Sequence, residues 1–160
     1  EIIKKIIKIV ELWASNNKSA RVIFCTIFQA YGSGDDPGNI LAYTANCLKD
    51  GVKAKLGSGK GLRDWIYIDD LVDAFIKVLN VTGNNIQYFD FGSGNLTSIK
   101  NVVLKLSDLM GYSNDLISFD ANRDRPDTKL MSFAKEFLPE WKANVSLDEG
   151  IINYIKDLKA

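Results

Sequence analysis

Two arginines, Arg63 and Arg125, stand in positions suited to holding a phosphate group. Arg63 follows the glycine-rich segment 57–61 and precedes a short apolar run, and Arg125 is followed directly by a proline. A planar guanidinium group can grip a phosphate through two parallel hydrogen bonds. The same side chains could instead form surface ion pairs, with Asp64 or Asp127 as partners. From residue type alone, the ion pair is the simpler interpretation for each arginine.

Glycine-rich segments could also contact phosphates, and the sequence has three of them, at 32–38, 57–61 and 92–94. None has the spacing of a known phosphate-binding loop. Lys60 is followed by Gly61 instead of Ser or Thr, and Thr97 stands where a G-x-G-x-x-G loop would place its third glycine. On spacing alone, these segments are turns.

Several other kinds of site are excluded by composition. The chain of 160 residues contains no histidine, so it cannot supply a Ser-His-Asp or Cys-His catalytic arrangement. Its two cysteines, Cys25 and Cys47, are far apart and lie in apolar runs, which predicts reduced, buried thiols and no metal site.

Charge and hydropathy limit the partners. Lys and Arg together equal Asp and Glu at 20 each, which argues against a surface built for nucleic acid or anionic lipid. No apolar stretch reaches the length of a membrane span, and the lysines near the first residue break any export signal. We therefore expect a cytoplasmic protein without nucleic-acid or membrane partners.

The apolar periodicity predicts the elements that must position these side chains. Helices are expected over 1–16 and 39–51. A third should begin at a cap on Asp69 or Asp70, a fourth should run over 98–110 after a cap on Thr97 or Ser98, and a fifth should begin at Ser146. Strands are expected at 21–28, 52–56, 65–68, 86–91 and 116–119. Alternating strands and helices indicate an α/β class with a parallel sheet, and we treat 1–160 as one unit. The apolar arc of the first helix is wide enough to need a second partner.

Taken in order, several of these segments resemble one known series. They are Phe28-Gln-Ala-Tyr-Gly32, Gly34-Asp-Asp-Pro37, Asn39-Ile-Leu41, Gly57-Ser-Gly59, Arg63-Asp-Trp-Ile-Tyr-Ile-Asp-Asp70, Phe91-Gly-Ser-Gly94, Arg125-Pro-Asp127 and Ser146-Leu-Asp-Glu-Gly150. The series is similar to the second half of the extended short-chain dehydrogenase/reductases, the NAD-dependent epimerase/dehydratase family that modifies nucleotide-sugars. The nearest subgroup by pattern acts on 4-keto-6-deoxyhexose nucleotides, as CDP-abequose synthase-like reductases do.

The resemblance implies a fold and a reaction. The fold would be the C-terminal part of a Rossmann-type parallel sheet plus the smaller α/β substrate-binding domain. The whole enzyme would use NAD or NADP to epimerise, reduce or dehydrate the sugar of a nucleoside-diphosphate sugar, and it would form a homodimer. The dinucleotide-binding portion is expected to be absent, so we expect the chain to be inactive alone.

The resemblance also assigns residues. Arg63 and Arg125 would clamp the diphosphate, and Asn39 and Ile40 would meet its phosphate and ribose side. Lys55 and Leu56 would lie near the base, and Phe28 would line the nicotinamide site. Gln29 replaces an asparagine that touches the substrate, so its reach is longer.

The catalytic tyrosine and lysine of the family have no firm counterpart. Lys5 is a weak candidate for the lysine, but Glu1 then occupies the tyrosine position, and a solvated lysine is the simpler interpretation. Two alternatives to an enzyme part remain open: a stand-alone nucleotide-sugar-binding module, and a structural half that pairs with another chain. The residues do not distinguish the base, the sugar, NAD from NADP, or the reaction.

Overall fold

The computed structural model describes residues 1–124 and 133–158, and in that part of the chain five helices alternate with seven short strands. The helices are α1 (Ile2–Asn16), α2 (Ile40–Lys49), α3 (Ile68–Val78), α4 (Ile99–Met110) and α5 (Leu147–Asp157). The strands are β1 (Val22–Ile27), β2 (Gln29–Tyr31), β3 (Ala54–Leu56), β4 (Leu62–Tyr67), β5 (Ile86–Phe91), β6 (Leu96–Ser98) and β7 (Ile117–Phe119). Every predicted helix and strand is present, and β2 and β6 are additions.

The strands form three small sheets that are mostly parallel. β1 pairs with β5 in parallel, β2 pairs with β4 in parallel, and β3 pairs with β7 in parallel. Only the β4–β6 pair is antiparallel among the described residues. Helices connect the parallel strands, as parallel pairing requires. The predicted α/β class is confirmed.

The strand predicted over 21–28 is β1, and a second short strand, β2, follows it directly. The backbone N–H of Phe28 donates to the Phe91 carbonyl at 3.1 Å, and the N–H of Ala30 donates to the Phe28 carbonyl at 2.8 Å. The chain therefore leaves its neighbour β5 at Phe28 and joins β4 from Gln29 onward. This change of neighbour carries Gln29 into the second sheet.

The predicted cap of α3 is wrong. Tyr67 is the N-cap residue, and Asp69 and Asp70 lie in the first turn. Asp70 is buried, and its carboxylate accepts the backbone N–H groups of Asn144 at 3.0 Å and Val145 at 2.9 Å. A partner about 75 residues away therefore uses the carboxylate that a local pattern assigns to the helix end.

The other two predicted caps are present. The Ser98 hydroxyl accepts the N–H of Asn101 at 3.2 Å at the start of α4, which selects Ser98 over Thr97. The Ser146 hydroxyl accepts the N–H of Glu149 at 3.2 Å at the start of α5. Each bond satisfies one of the helix N–H groups that lack a partner within the helix.

Two apolar clusters form the core. The larger packs α2, α4 and α5 against β3 and β4; its fully buried members include Leu41, Leu48, Val102, Leu106, Ile151 and Tyr154. The smaller packs α3 against β4 and β5; its members are Ile66, Leu71, Ala74, Val78, Phe91, Leu138 and Trp141. The larger cluster fixes the elements that surround the cavity described below.

Two helices present apolar side chains to solvent. On α1 these are Ile2, Ile3, Ile6, Ile9, Leu12 and Trp13, and on α3 they are Val72, Phe75, Ile76 and Leu79. Among the described residues nothing covers either stripe, and β1 has no strand neighbour besides β5. Both cysteines are free and half-buried, so they are less enclosed than predicted. No helix in the described ranges has the length and apolar character of a membrane span.

Gly150 allows α5 to pack closely against Tyr31. A Cβ atom at Gly150 would overlap the Tyr31 hydroxyl oxygen, with the ring Cζ at 2.9 Å. We expect Gly150→Ala to lower the free energy of unfolding by about 1–3 kcal/mol, since overpacking a buried site outweighs the gain in helix propensity. Urea unfolding measures this.

The Tyr31→Phe background provides the control for that prediction. Removing the hydroxyl oxygen removes the worst overlap, so Gly150→Ala should cost clearly less stability in Tyr31→Phe than in the natural chain. Equal costs in the two backgrounds would show that this contact does not determine the effect.

Candidate functional site

One cavity of about 400 Å³ brings together the predicted substrate-contacting residues. Six of the seven line it: Gln29, Asn39, Ile40, Lys55, Leu56 and Arg63. The seventh, Arg125, lies outside the described residues. Residues more than 30 positions apart therefore meet around one space, and their roles there stay predictions.

Paired strands place Gln29 and Arg63 on one wall. Gln29 is the first residue of β2 and lies opposite Trp65 of β4. Arg63 is two residues before Trp65, and side chains two residues apart in a strand share a face. The Arg63 guanidinium donates to the Leu62 carbonyl at 2.8 Å, and the side chain is half-buried.

The start of α2 opens on the same cavity. Asn39 is the N-cap residue and Ile40 the first helical residue, and both line the cavity together with Gly38. The first turn itself carries no acidic side chain, and the Asp36 carboxylate of the preceding loop accepts the Gly38 N–H at 2.7 Å. The Asn39 side-chain amide donates to the Asp35 carboxylate, which orients it. A helix start of this kind attracts an anion.

β3 forms the opposite side of the cavity. Its middle residue is Lys55, whose backbone N–H donates to the hydroxyl oxygen of Tyr43 at 3.3 Å. Tyr43 lies on α2, one turn after Ile40, and also lines the cavity. Leu56 is 4% exposed and adds an apolar surface beside them.

Asp124 lines the cavity and is hydrogen-bonded to the loop after β3. Its carboxylate accepts the Ser58 backbone N–H at 2.7 Å. A Cβ atom at Gly57 would lie 2.5 Å from that carboxylate oxygen, so a larger residue there would displace the Asp124 side chain. Hydrogen bonding from the Ser58 side chain and backbone lowers the pKa of Asp124; slight burial opposes this, and the charge of Lys60 adds to the lowering. Asp124 is therefore ionised near neutral pH.

The cavity carries more positive than negative charge. Among the residues that the structure describes, three cationic side chains line it, those of Lys55, Arg63 and Arg123, together with one carboxylate, that of Asp124. Two positive charges are in excess, which suits a dianionic ligand. Guanidinium groups, unlike an ammonium group, can contact two phosphate oxygens at once.

The remaining two predicted residues lie elsewhere. Phe28 is half-buried where β1 passes into β2 and does not line the cavity. Lys5 is on α1, its side chain is 71% exposed, and it pairs with Glu1 at 3.4 Å. That environment is that of a solvated surface lysine.

Three lining residues with polar side chains were not selected by the sequence analysis: Tyr43, Arg123 and Asp124. The spacing of Tyr43 from Asn39 and Ile40, four and three residues on a helix, places all three on one face and could have identified it. Arg123 and Asp124 belong to the polar stretch in which only Arg125 was selected. Among the described residues, no group of three or more His, Cys, Asp or Glu side chains is placed to hold a metal ion.

Known proteins share sequence with this chain. Residues 4–88 match the model of the NAD dependent epimerase/dehydratase family. The chain is 28% identical to CDP-abequose synthase of Salmonella typhimurium over 135 residues, which are 80% of this chain and 45% of that protein.

Solved structures agree on the fold. The dTDP-glucose 4,6-dehydratase of Bacillus anthracis, in complex with NAD, superposes with a TM-score of 0.75 at 21% identity, over 86% of this chain and 44% of that one. The UDP-glucuronic acid 4-epimerase of Bacillus cereus, in complex with UDP-glucuronic acid and NAD, superposes with a TM-score of 0.74 at 20% identity. The superposition covers 86% of this chain and 45% of that one.

The chain thus spans less than half the length of these proteins. The match to the family model covers more than half of the chain itself. The chain belongs to the NAD dependent epimerase/dehydratase family.

Proposed function

We propose that this chain binds the nucleoside diphosphate of a nucleotide-sugar, as the C-terminal portion of an enzyme that epimerises, reduces or dehydrates the sugar with NAD or NADP. The observation that carries the proposal is the cavity itself. Six residues that the family pattern assigns to the substrate line one space with an excess of two positive charges. The diphosphate of a nucleotide-sugar carries two negative charges.

The parts of the cavity suit the parts of such a ligand. Arg63, Arg123 and the start of α2 would hold the diphosphate, and Lys55 and Leu56 would lie beside the base. Gln29 extends the same wall toward the sugar. Holding the unreactive diphosphate uses binding energy remote from the reaction to position the sugar.

The dinucleotide fits this chain only in part. Phe28 follows the carboxyl end of β1, the edge at which open α/β sheets bind ligands, and would contact the nicotinamide. The 160 residues contain no G-x-G-x-x-G loop for its pyrophosphate. When bound, the nicotinamide supplies hydride transfer; this chain would contribute one face of that site and the position of the sugar.

Exposed surfaces support the division into portions. The second edge of β1 and the apolar stripe of α3 are where we infer that the dinucleotide-binding portion packs, since a two-stranded sheet is not stable alone. Without that portion we expect no turnover of nucleotide-sugars with NAD(P)H. Turnover by the purified 160-residue chain would contradict this.

The stripe on α1 also supports a homodimer. Ile3, Ile6 and Ile9 are each more than half exposed, which is a large apolar surface for a monomer. We expect light scattering to give twice the 17.8 kDa mass of the chain and Ile6→Lys to give the single mass. Ile152→Lys, at an exposed position of α5, is the control and should stay dimeric. A monomeric natural chain would contradict the dimer.

Calorimetric titration tests the central proposal. The folded chain is titrated with UDP, CDP, dTDP and GDP, and with the matching nucleosides. We expect one diphosphate to bind at one site per chain, at least tenfold more tightly than its nucleoside, since the charged contacts are to phosphate. A folded chain that binds none of the four would contradict the proposed function.

A further inference from the structure

The hydroxyl proton of Tyr43 has no acceptor among the residues that the structure describes. The backbone N–H of Lys55 can only donate, so in the 3.3 Å contact between them the Tyr43 oxygen is the acceptor. Its own proton must then point elsewhere. Within the described ranges, no acceptor for that proton is present.

The position of Tyr43 puts its side chain beside the space that a ligand would occupy. Tyr43 is half-buried between α2 and β3 and lines the cavity. The Lys55 contact fixes the phenol oxygen at the β3 wall. A ligand placed along that wall would come close to the hydroxyl group.

The neighbours of Tyr43 suit a nucleobase better than a phosphate. Leu56 is buried and apolar, and the phenol ring gives a second flat apolar surface. A nucleobase has two apolar faces and a hydrogen-bonding edge, whereas a phosphate is charged on every side. The guanidinium groups and the start of α2 supply the phosphate contacts instead.

We propose that Tyr43 determines base recognition by donating its hydroxyl proton to a carbonyl oxygen of the nucleobase. Uracil, thymine, cytosine and guanine carry such an oxygen, and adenine carries none. This inference rests on the proposed function, because it needs the nucleoside diphosphate to occupy the cavity. It adds a residue that the family pattern does not select.

The test compares Tyr43→Phe with the natural chain by calorimetry. Titrants are UDP, CDP, dTDP and GDP, and inorganic pyrophosphate, which reports the phosphate contacts without a base. Tyr43→Phe should weaken the tightest nucleoside diphosphate by roughly 3- to 10-fold, the value of one hydrogen bond, and leave pyrophosphate binding unchanged. Tyr112→Phe, an exposed tyrosine beyond α4, is the matched control and should change neither.

The outcomes separate this inference from the proposed function. Equal binding of the nucleotide by Tyr43→Phe and the natural chain overturns the inference, and so does an equal loss for nucleotide and pyrophosphate, which a purely structural role would produce. A natural chain that binds pyrophosphate and no nucleotide overturns both proposals. If the tightest ligand is UDP, replacing its base oxygens with sulfur should weaken binding to the natural chain and not to Tyr43→Phe.

Discussion

Arg63→Ala is expected to weaken nucleoside diphosphate binding by roughly 10- to 100-fold, because it removes charge-assisted hydrogen bonds to phosphate from the cavity. Arg63 is held by the β4 strand on the same wall as Gln29, and its guanidinium is anchored by the Leu62 carbonyl at 2.8 Å. An anchored side chain loses little freedom when a ligand arrives. Calorimetric titration measures the change.

Two further variants show whether geometry or charge causes the loss. Arg63→Lys keeps the charge and loses the paired donors, so its affinity should fall between those of the natural chain and Arg63→Ala. Arg21→Ala removes the same charge from the start of β1, where Arg21 bonds the Leu79 and Val81 carbonyls away from the cavity. A similar loss in Arg21→Ala would mean that net charge alone is responsible, and an unchanged affinity in Arg63→Ala would remove Arg63 from the site.

Asp64→Asn is expected to lower the free energy of unfolding by about 2–4 kcal/mol, although the two side chains have nearly the same shape. Asp64 is 1% exposed. One carboxylate oxygen accepts the N–H and the hydroxyl of Ser93, both at 2.7 Å. The other accepts the N–H groups of Gly94 and Ala134, both at 2.9 Å.

An asparagine cannot replace this carboxylate, because its NH₂ group would face N–H donors in either orientation. With the NH₂ group toward Ala134, the backbone N–H groups of Gly94 and Ala134 have no acceptor. With the NH₂ group toward Ser93, the backbone N–H of Ser93 has none. Asp69→Asn is the matched control, since Asp69 is exposed on the neighbouring helix. Urea unfolding of both variants gives the comparison, and a cost in Asp64→Asn as small as in Asp69→Asn would contradict this assignment.

Sequence patterns among neighbouring residues predicted most of the helices and strands. The apolar runs that became β1 and β5 and the caps at Ser98 and Ser146 depend on neighbouring residues, and the structure has all of them. The end of β1 and the whole of β6 depend on pairing instead. β6 is a strand because it pairs with β4, where Leu96 lies opposite Asp64, a residue more than 30 positions earlier in the sequence.

Buried carboxylates were the main failure of local reasoning. The pattern assigns Asp70 to the start of a helix and Asp64 to an ion pair with a nearby arginine. Both instead accept backbone N–H groups from segments that come close only in the folded chain. Spacing along the chain carries no signal for such partners.

The candidate site was predicted through the family pattern, because no single residue in it identifies a ligand. Residue type alone favoured an ion pair for Arg63. The pattern selected Gln29, Asn39, Lys55 and Arg63, and the structure places them around one cavity. It did not select Tyr43, whose position depends on a contact between α2 and β3.

The most direct test of the central claim is an NMR titration of the ¹⁵N-labelled chain with the tightest nucleoside diphosphate. The account predicts that the largest backbone shifts fall on the cavity, at Asn39, Ile40, Lys55, Gly57 and Gly59. The groove between α4 and α5, lined by residues such as Asn101 and Asp108, should not respond. Shifts concentrated in that groove, or no shifts at all in a folded chain, would contradict a nucleotide site at Arg63.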